Sequence, residues 1–244
     1  MDIQFGYKAA SSTTQASWLV HEVLIHYLRE GSNPICGLLD CSQAFDLAKW
    51  DKMFNLILER MVPPVVARAM IYSYQEQYAW CRWGNERSEI FSIVNGTRQG
   101  SMASPFLWAV YCDPLLARLR ALGVGCHIAG SWIGAQLYCD DLVLLAPCRR
   151  AMELMLQEAE LWAAEFNVTF STDPNPQKSK SKLIFMCGKK TRLPKPADIS
   201  LCGRALPWVS TATHLGHEIH ESGEMTYDSK VKRAQYIGKS VEVR

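Results

Sequence analysis

No apolar run among the 244 residues approaches the roughly 18 to 20 that span a bilayer. The opening residues, Met1-Asp2-Ile3-Gln4, carry neither the basic stretch nor the apolar core of a secretory signal. Charge of one sign is also scarce. The 26 Lys and Arg nearly balance 24 Asp and Glu, for a net +2, so bulk charge does not announce a nucleic-acid partner. Internal repeats and low-complexity tracts are absent, which argues against solenoid and disordered classes. The nine cysteines include no Cys-x-x-Cys pair and no compact Cys/His cluster, so structural zinc is not expected. Cys36, Cys112 and Cys187 lie in apolar stretches and read as buried thiols in a reducing compartment. Together these absences predict an intracellular protein, cytoplasmic or nuclear, with no membrane partner.

What is present is an ordinary globular composition, 48% hydrophobic and 20% charged, enough to build a core. The basic residues are distributed unevenly. Between 178 and 195 stand Lys178, Lys180, Lys182, Lys189, Lys190, Arg192 and Lys195 with no Asp or Glu among them. Such a patch either attracts phosphates or forms a solvated face.

Along the chain, Ser11-Ser12-Thr13-Thr14 offers helix caps ahead of Ala16, Leu19, Val23, Tyr27 and Leu28 at helical spacing, with a stop at Gly31. Ile35-Cys36-Gly37-Leu38-Leu39 is a compact apolar run that delivers Asp40 to the end of a buried strand. A helix is predicted from about Ala48 to the tandem prolines Pro63-Pro64, and another from Pro64 to about Tyr78. Residues 79–94 alternate around Gly84-Asn85 as a hairpin does. Ser104 as N-cap and Pro105 at the first turn start a helix that Pro114 should kink and Gly123 should end. The runs 135–138 and 142–145, separated by Cys139-Asp140-Asp141, predict a hairpin with carboxylates at its tip. A helix over 149–166, strands near 168–170 and 183–186, short strands near Leu201 and Leu215, and a basic helix from about Lys230 complete the expectation.

A lone Asp after a strand is commonplace, and so is an Asp-Asp turn. Carboxylates on separate strand ends are also what a pair of Mg2+ ions needs to clamp the attacking and leaving oxygens of a phosphoryl group. Without a cation, such carboxylates repel one another and their pKa values rise.

The wording around these residues resembles the reverse transcriptases, within them the non-LTR or LINE-type branch. Gln4-Phe5-Gly6-Tyr7-Lys8 with Ser12-Thr13-Thr14-Gln15-Ala16 is similar to a fingers motif. The stretch from Leu38 through Asp40 to Asp46 resembles the first catalytic palm motif, and Gly96-Thr97-Arg98-Gln99-Gly100-Ser101-Met102-Ala103-Ser104-Pro105 the substrate-loop motif. Tyr138-Cys139-Asp140-Asp141 resembles the second catalytic motif, followed by a lysine motif at 178–182 and a primer-grip motif at His214-Leu215-Gly216.

The resemblance implies an RNA-directed DNA polymerase whose partners are an RNA template, a DNA primer and deoxynucleoside triphosphates, with two Mg2+ ions, or Mn2+, as cofactors. It implies Asp40, Asp140 and Asp141 as metal ligands and catalytic residues. Phe45 matches the steric gate that leaves no room for a ribose 2′-hydroxyl. Gln99 and Gly100 match the loop along the incoming nucleotide. Arg98 either meets phosphate or is a solvated loop residue, and Lys8 stands where the family often carries Arg. Lys180 is the chosen motif lysine, protonating the leaving pyrophosphate; Lys178 and Lys182 are its rivals, because Lys and Ser alternate and the register can shift by two. Lys178, Lys182, Lys189, Lys190, Arg192, Leu215 and Gly216 are the expected primer-template contacts.

The fold expected is α+β: an antiparallel polymerase palm sheet with helices on one face, partial fingers, and an end before a full thumb. Residues 1–34 would be fingers, 35–220 palm and 221–244 a C-terminal extension or the start of the thumb. The rivals are an RNA-templated RNA polymerase, against which Phe45 speaks, and a decayed or domesticated fragment that binds nucleic acid without catalysis. Oligomeric state is not legible.

Overall fold

The computed structural model describes residues 4–6, 11–42, 44–98, 100–173, 175, 178–188 and 194–224. Lys8, Gln99, Lys189, Lys190, Arg192 and the helix expected from Lys230 lie outside the described residues.

The chain begins with α1 (Thr13–Arg29), β1 (Ile35–Ser42), α2 (Ala44–Leu47), α3 (Trp50–Glu59) and α4 (Pro64–Gln75). Two short ladders follow, β2 (Tyr78–Ala79) with β5 (Phe91–Ser92) and, inside them, β3 (Arg82–Trp83) with β4 (Glu86–Arg87). Next come α5 (Ser104–Ala121), the ladder of β6 (His127–Ile128) and β7 (Ser131–Trp132), then β8 (Ala135–Tyr138), β9 (Asp141–Ala146) and α6 (Arg149–Phe166). The remainder is β10 (Thr169–Phe170), β11 (Lys182–Phe185), a ladder of β12 (Ser200–Leu201) with β13 (Arg204–Ala205), and a hairpin of β14 (Thr211–His214) with β15 (His217–His220).

The α+β class expected from the sequence is observed, with an antiparallel sheet at its centre. β1 is the central strand: β9 and then β8 lie on one side, while β11 pairs its first half and β10 its last two residues on the other. Strand parity divides the apolar residues between two faces. Ile35, Leu39, Leu142, Leu144, Leu183 and Phe185 join α3, α5 and α6 in one core. Cys36, Leu38, Val143, Leu145 and Ile184 join α1 and Ile219 of β15 in a second. Helices therefore cover both faces, which corrects the expectation of one. The reason is legible in β1, whose residues 35–39 are all buried, as a strand covered on both sides requires.

Several local expectations hold. Ser12 caps α1 in a full capping box with Gln15, Gly84 turns the 82–87 ladder with φ +60, and Gly123 follows α5 with φ +67. Others change. The helix expected from about Ala48 is α3, which starts at Trp50, and the short α2 that precedes it was not expected; extended Lys49 separates the two, where Ala48 O accepts Gly96 N–H at 2.8 Å and Lys49 N–H donates to Tyr111 Oη at 3.0 Å. α5 continues through Pro114, with the flanking Leu115, Leu116 and Leu119 buried against the core. Ala103, not Ser104, is the N-cap; the Ser104 hydroxyl donates instead to Arg98 O. Cys187 is half-buried rather than buried, while Cys36 and Cys112 are buried as expected. Among the described residues, no helix is long and apolar enough to cross a membrane.

Candidate active site

Asp40 and Asp141 are cross-strand partners at the open end of the β1–β9 pair. Parity places them on the face of Leu38 and Val143. Asp140 occupies the two-residue turn between β8 and β9, after Cys139 in the left-handed region with φ +58. That conformation is uncommon for a residue with a Cβ and is held here from two sides. Trp108 Nε1–H donates to Cys139 O at 2.9 Å. On the other side, residues 4–6 add to the edge of β8 through a parallel Gln4–Leu137 bridge and a Phe5 N–H to Leu137 O bond of 3.0 Å. A Cβ on Gly6 would lie 2.6 Å from Cys139 N, so only glycine fits this approach.

The carboxylates crowd one another. Burial, then the charges of Asp140 and Asp40, raise the Asp141 carboxyl to about 6, against a smaller opposing effect of Lys180. Among the described residues no group of three or more His, Cys, Asp or Glu side chains already converges as a metal cage. Even so, the donor set is all carboxylate oxygen, which suits a hard divalent cation, and the raised Asp141 value marks negative charge that a cation would relieve.

Lys180 Nζ reaches Asp40 Oδ2 at 3.5 Å from an exposed position. The alternation that left the lysine register open has a structural basis. Ser179 and Ser181 are buried, Ser179 Oγ donating to Ser181 O at 2.7 Å and Ser181 Oγ accepting Asp40 N–H at 3.3 Å, while Lys178 and Lys180 face outward. Lys182 begins β11 opposite Leu38. Asp40, Asp141, Lys180, Lys182 and His214 line one cavity of about 330 Å³; Lys178 is not among its lining residues.

Phe45 lies in α2, half-buried, its ring 5.5 Å from that of Trp108. The 96–98 loop fixes its backbone: Thr97 N–H donates to Phe45 O at 2.6 Å, and a Cβ on Gly96 would meet Asp46 O at 2.7 Å. Arg98 lies over the Tyr74 ring at 5.5 Å and donates to Ser73 O, while lining a cavity of about 640 Å³ with Asp46, Gly96 and Thr97. Gly100 has φ +83 and open space where a Cβ would stand, so its conformation, not a close protein neighbour, requires glycine.

Leu215 and Gly216 form the β14–β15 turn, with φ +50 and +78. His214 before them is buried, its Nε2 without a hydrogen-bond partner, and burial first, then His217, lowers its pKa to about 4. Sequence reasoning gave the weight to Leu215 and Gly216 and passed over His214, Ser181 and Trp108. Only the position of His214 inside the motif could have signalled it; Trp108 sits in a helix apolar on every side, where no period separates it from core.

A match to the reverse transcriptase (RNA-dependent DNA polymerase) family runs over residues 1–219. The putative 115 kDa protein of the type-1 retrotransposable element R1DM of Drosophila melanogaster is 30% identical over 135 residues, 53% of this chain and 11% of that protein. The Pol polyprotein of the type-1 retrotransposable element R2 of Nasonia vitripennis is 24% identical over 157 residues, 64% of this chain and 15% of that protein. The type-2 element R2DM of Drosophila melanogaster gives 24% over 155 residues, again 15% of its Pol polyprotein. The chain thus spans 11–15% of the length of these relatives. Among solved structures, telomerase of Candida albicans with a telomeric RNA fragment is similar at TM-score 0.47 and 10% identity, over 88% of this chain and 34% of that one. Apo telomerase of Candida tropicalis gives TM-score 0.49 and 10% identity, over 91% and 40%. With the family match covering residues 1–219 of 244, and with relatives in non-LTR retrotransposable elements, the chain belongs to the reverse transcriptase family.

Proposed function

We propose that this chain carries the palm, residues 35–220, and part of the fingers, residues 1–34, of an RNA-directed DNA polymerase of a non-LTR retroelement, with 221–244 leading toward a thumb. The observation that carries the reading is the Asp40–Asp141 cross-strand pair beside Asp140, with Asp141 raised to about 6 and Lys180 at 3.5 Å from Asp40.

Asp40, Asp140 and Asp141 are the groups to hold two Mg2+ or Mn2+ ions, which when bound supply charge stabilisation at the phosphoryl oxygens. Lys180 carries a proton within reach of the same corner and delivers it to the departing pyrophosphate. Phe45, fixed by Thr97, closes the space where a 2′-hydroxyl would stand. Gly100, with Gln99, borders the incoming nucleotide, and Arg98 and Lys8 meet its phosphates. Lys178, Lys182, Lys189, Lys190 and Arg192 attract the primer-template backbone, and the Leu215-Gly216 turn bears on the primer strand.

Primer extension tests the reading: a polypeptide carrying residues 1–244 is given an RNA template, a DNA primer, deoxynucleotides and Mg2+. Templated extension is expected. Tight RNA binding without extension, in a polypeptide long enough to grip the duplex, would favour the non-catalytic nucleic-acid-binding reading instead.

A further inference from the structure

We infer that Trp108 is a positioning residue that couples sugar selection to the geometry of the carboxylate turn, an inference that rests on the polymerase reading above. The indole is fully buried, and it touches two parts of the site at once. Its Nε1–H donates to Cys139 O at 2.9 Å, one residue before Asp140. Its ring lies 5.5 Å from Phe45 at an interplanar angle of 43°.

Behind it the ring cannot yield. Trp108 stacks on Tyr111 at 5.6 Å and 29°, and the Tyr111 hydroxyl is itself held by Phe166 O and by Lys49 N–H. A core this dense transmits displacement rather than absorbing it. The backbone that carries Phe45 is also held, its carbonyl tied to Thr97 N–H at 2.6 Å.

The consequence is mechanical. A ribonucleotide whose 2′-hydroxyl presses on Phe45 pushes that ring against the indole, and the indole carries the push to the Cys139 carbonyl. Cys139 is in the left-handed region, so the turn has little freedom to accommodate the shift without moving Asp140. Mg2+ demands near-ideal ligand geometry, and a small misplacement of one carboxylate is felt. The wrong sugar is rejected by contact and again by displacement of a metal ligand. Ordinary core packing accounts for a buried indole with a satisfied N–H, but it does not predict that removing the N–H alone changes both the turn and sugar selectivity.

The experiment separates the ring contact from the hydrogen bond. Trp108→Phe keeps a ring against Phe45 and removes the N–H donor; Trp108→Leu removes both. Amide exchange over residues 138–142, Mn2+ affinity by electron paramagnetic resonance, the deoxy-to-ribonucleotide incorporation ratio and the unfolding midpoint are measured for each. For Trp108→Phe, exchange in the turn is expected to accelerate and Mn2+ affinity to weaken by about fivefold, the effect of one lost hydrogen bond, and sugar selectivity to fall by about the same factor, because the push on Phe45 no longer reaches the Cys139 carbonyl. Trp108→Leu is expected to lower sugar selectivity by roughly tenfold more, as lost ring packing implies. Unchanged exchange and Mn2+ affinity in Trp108→Phe overturn the inference, as does an equal loss of every property in step with stability. Where Trp108→Leu does not fold, exchange and Mn2+ affinity in Trp108→Phe decide alone. A parent that neither binds Mn2+ nor incorporates nucleotides overturns the polymerase reading and this inference with it; an active parent with an indifferent Trp108→Phe overturns only this one.

Discussion

Lys180 Nζ stands 3.5 Å from Asp40 Oδ2, while Lys182, two residues on, lines the same cavity from β11. The exposed ammonium makes a surface ion pair of little consequence for stability, so its removal tests the proposed role in proton delivery without a large cost in folding. Lys180→Ala is expected to lower single-nucleotide incorporation by roughly a hundredfold, in the range of general-acid effects, and to leave the unfolding midpoint within experimental error. Lys178→Ala and Lys182→Ala, assayed beside it, should retain most of the rate. A larger loss in Lys182→Ala would move the role to that residue.

Phe45 projects from α2 and is held through its carbonyl by Thr97. Phe45→Val should admit ribonucleotides by roughly tenfold or more while deoxynucleotide incorporation continues, because a smaller side chain opens the space for a 2′-hydroxyl. Competition between matched deoxy- and ribonucleotides reads this directly. Unchanged discrimination in an active variant would assign Phe45 to the core alone.

Gly6 lies against the backbone of Cys139 with no room for a methyl group. Gly6→Ala is expected to cost about 1 to 3 kcal/mol of stability by overpacking and to reduce incorporation at least tenfold, because the turn that carries Asp140 must shift. Chemical denaturation and single-turnover incorporation check both parts. Parental values in both would show that the 4–6 segment does not support the turn.

His214, lowered to about 4 from 6.5, binds fewer protons in the folded chain than in the unfolded one between those values. Its contribution to stability is therefore present above about 6.5 and lost as pH falls toward 4, on the order of 3 kcal/mol across that window. Asp141 acts in the opposite sense: its folded value of about 6 lies above the ordinary 3.8, so stability from this group falls as pH rises through that interval. His214→Leu should flatten the acid-side loss, as measured by urea denaturation at a series of pH values. An unaltered pH profile would contradict the assignment.

Much of the fold was legible because its strongest signals are local. The capping box at Ser12, the 149–166 helix and the paired runs around Cys139-Asp140-Asp141 each declare themselves within a few residues. Asp40, a hundred residues from Asp140 in sequence, was legible only through its motif, since neighbouring residues do not reveal that β1 pairs with β9. What escaped depends on tertiary contact: the break at Lys49 serves the 96–97 loop, and α1 crosses to the second sheet face. Trp108 was hidden for the same reason, its two partners lying 63 residues before it and 31 after it. The lysine register is ambiguous in an alternating Lys-Ser run because Lys178, Lys180 and Lys182 share one parity, which the buried serines do not break; the observation that sets Lys180 apart is tertiary, its 3.5 Å approach to Asp40.

The central claim is that the carboxylate corner at the β1–β9 pair performs metal-dependent nucleotide transfer on an RNA template. Asp140→Asn tests it most directly, because the amide keeps the shape of the side chain and loses the charge that would hold Mg2+. Single-nucleotide incorporation is measured at saturating RNA template and DNA primer, with template affinity measured alongside. Incorporation is predicted to fall by roughly several orders of magnitude with template affinity within about twofold of the parent, since the carboxylate is not a phosphate contact. Incorporation by Asp140→Asn at the parental rate would contradict the account.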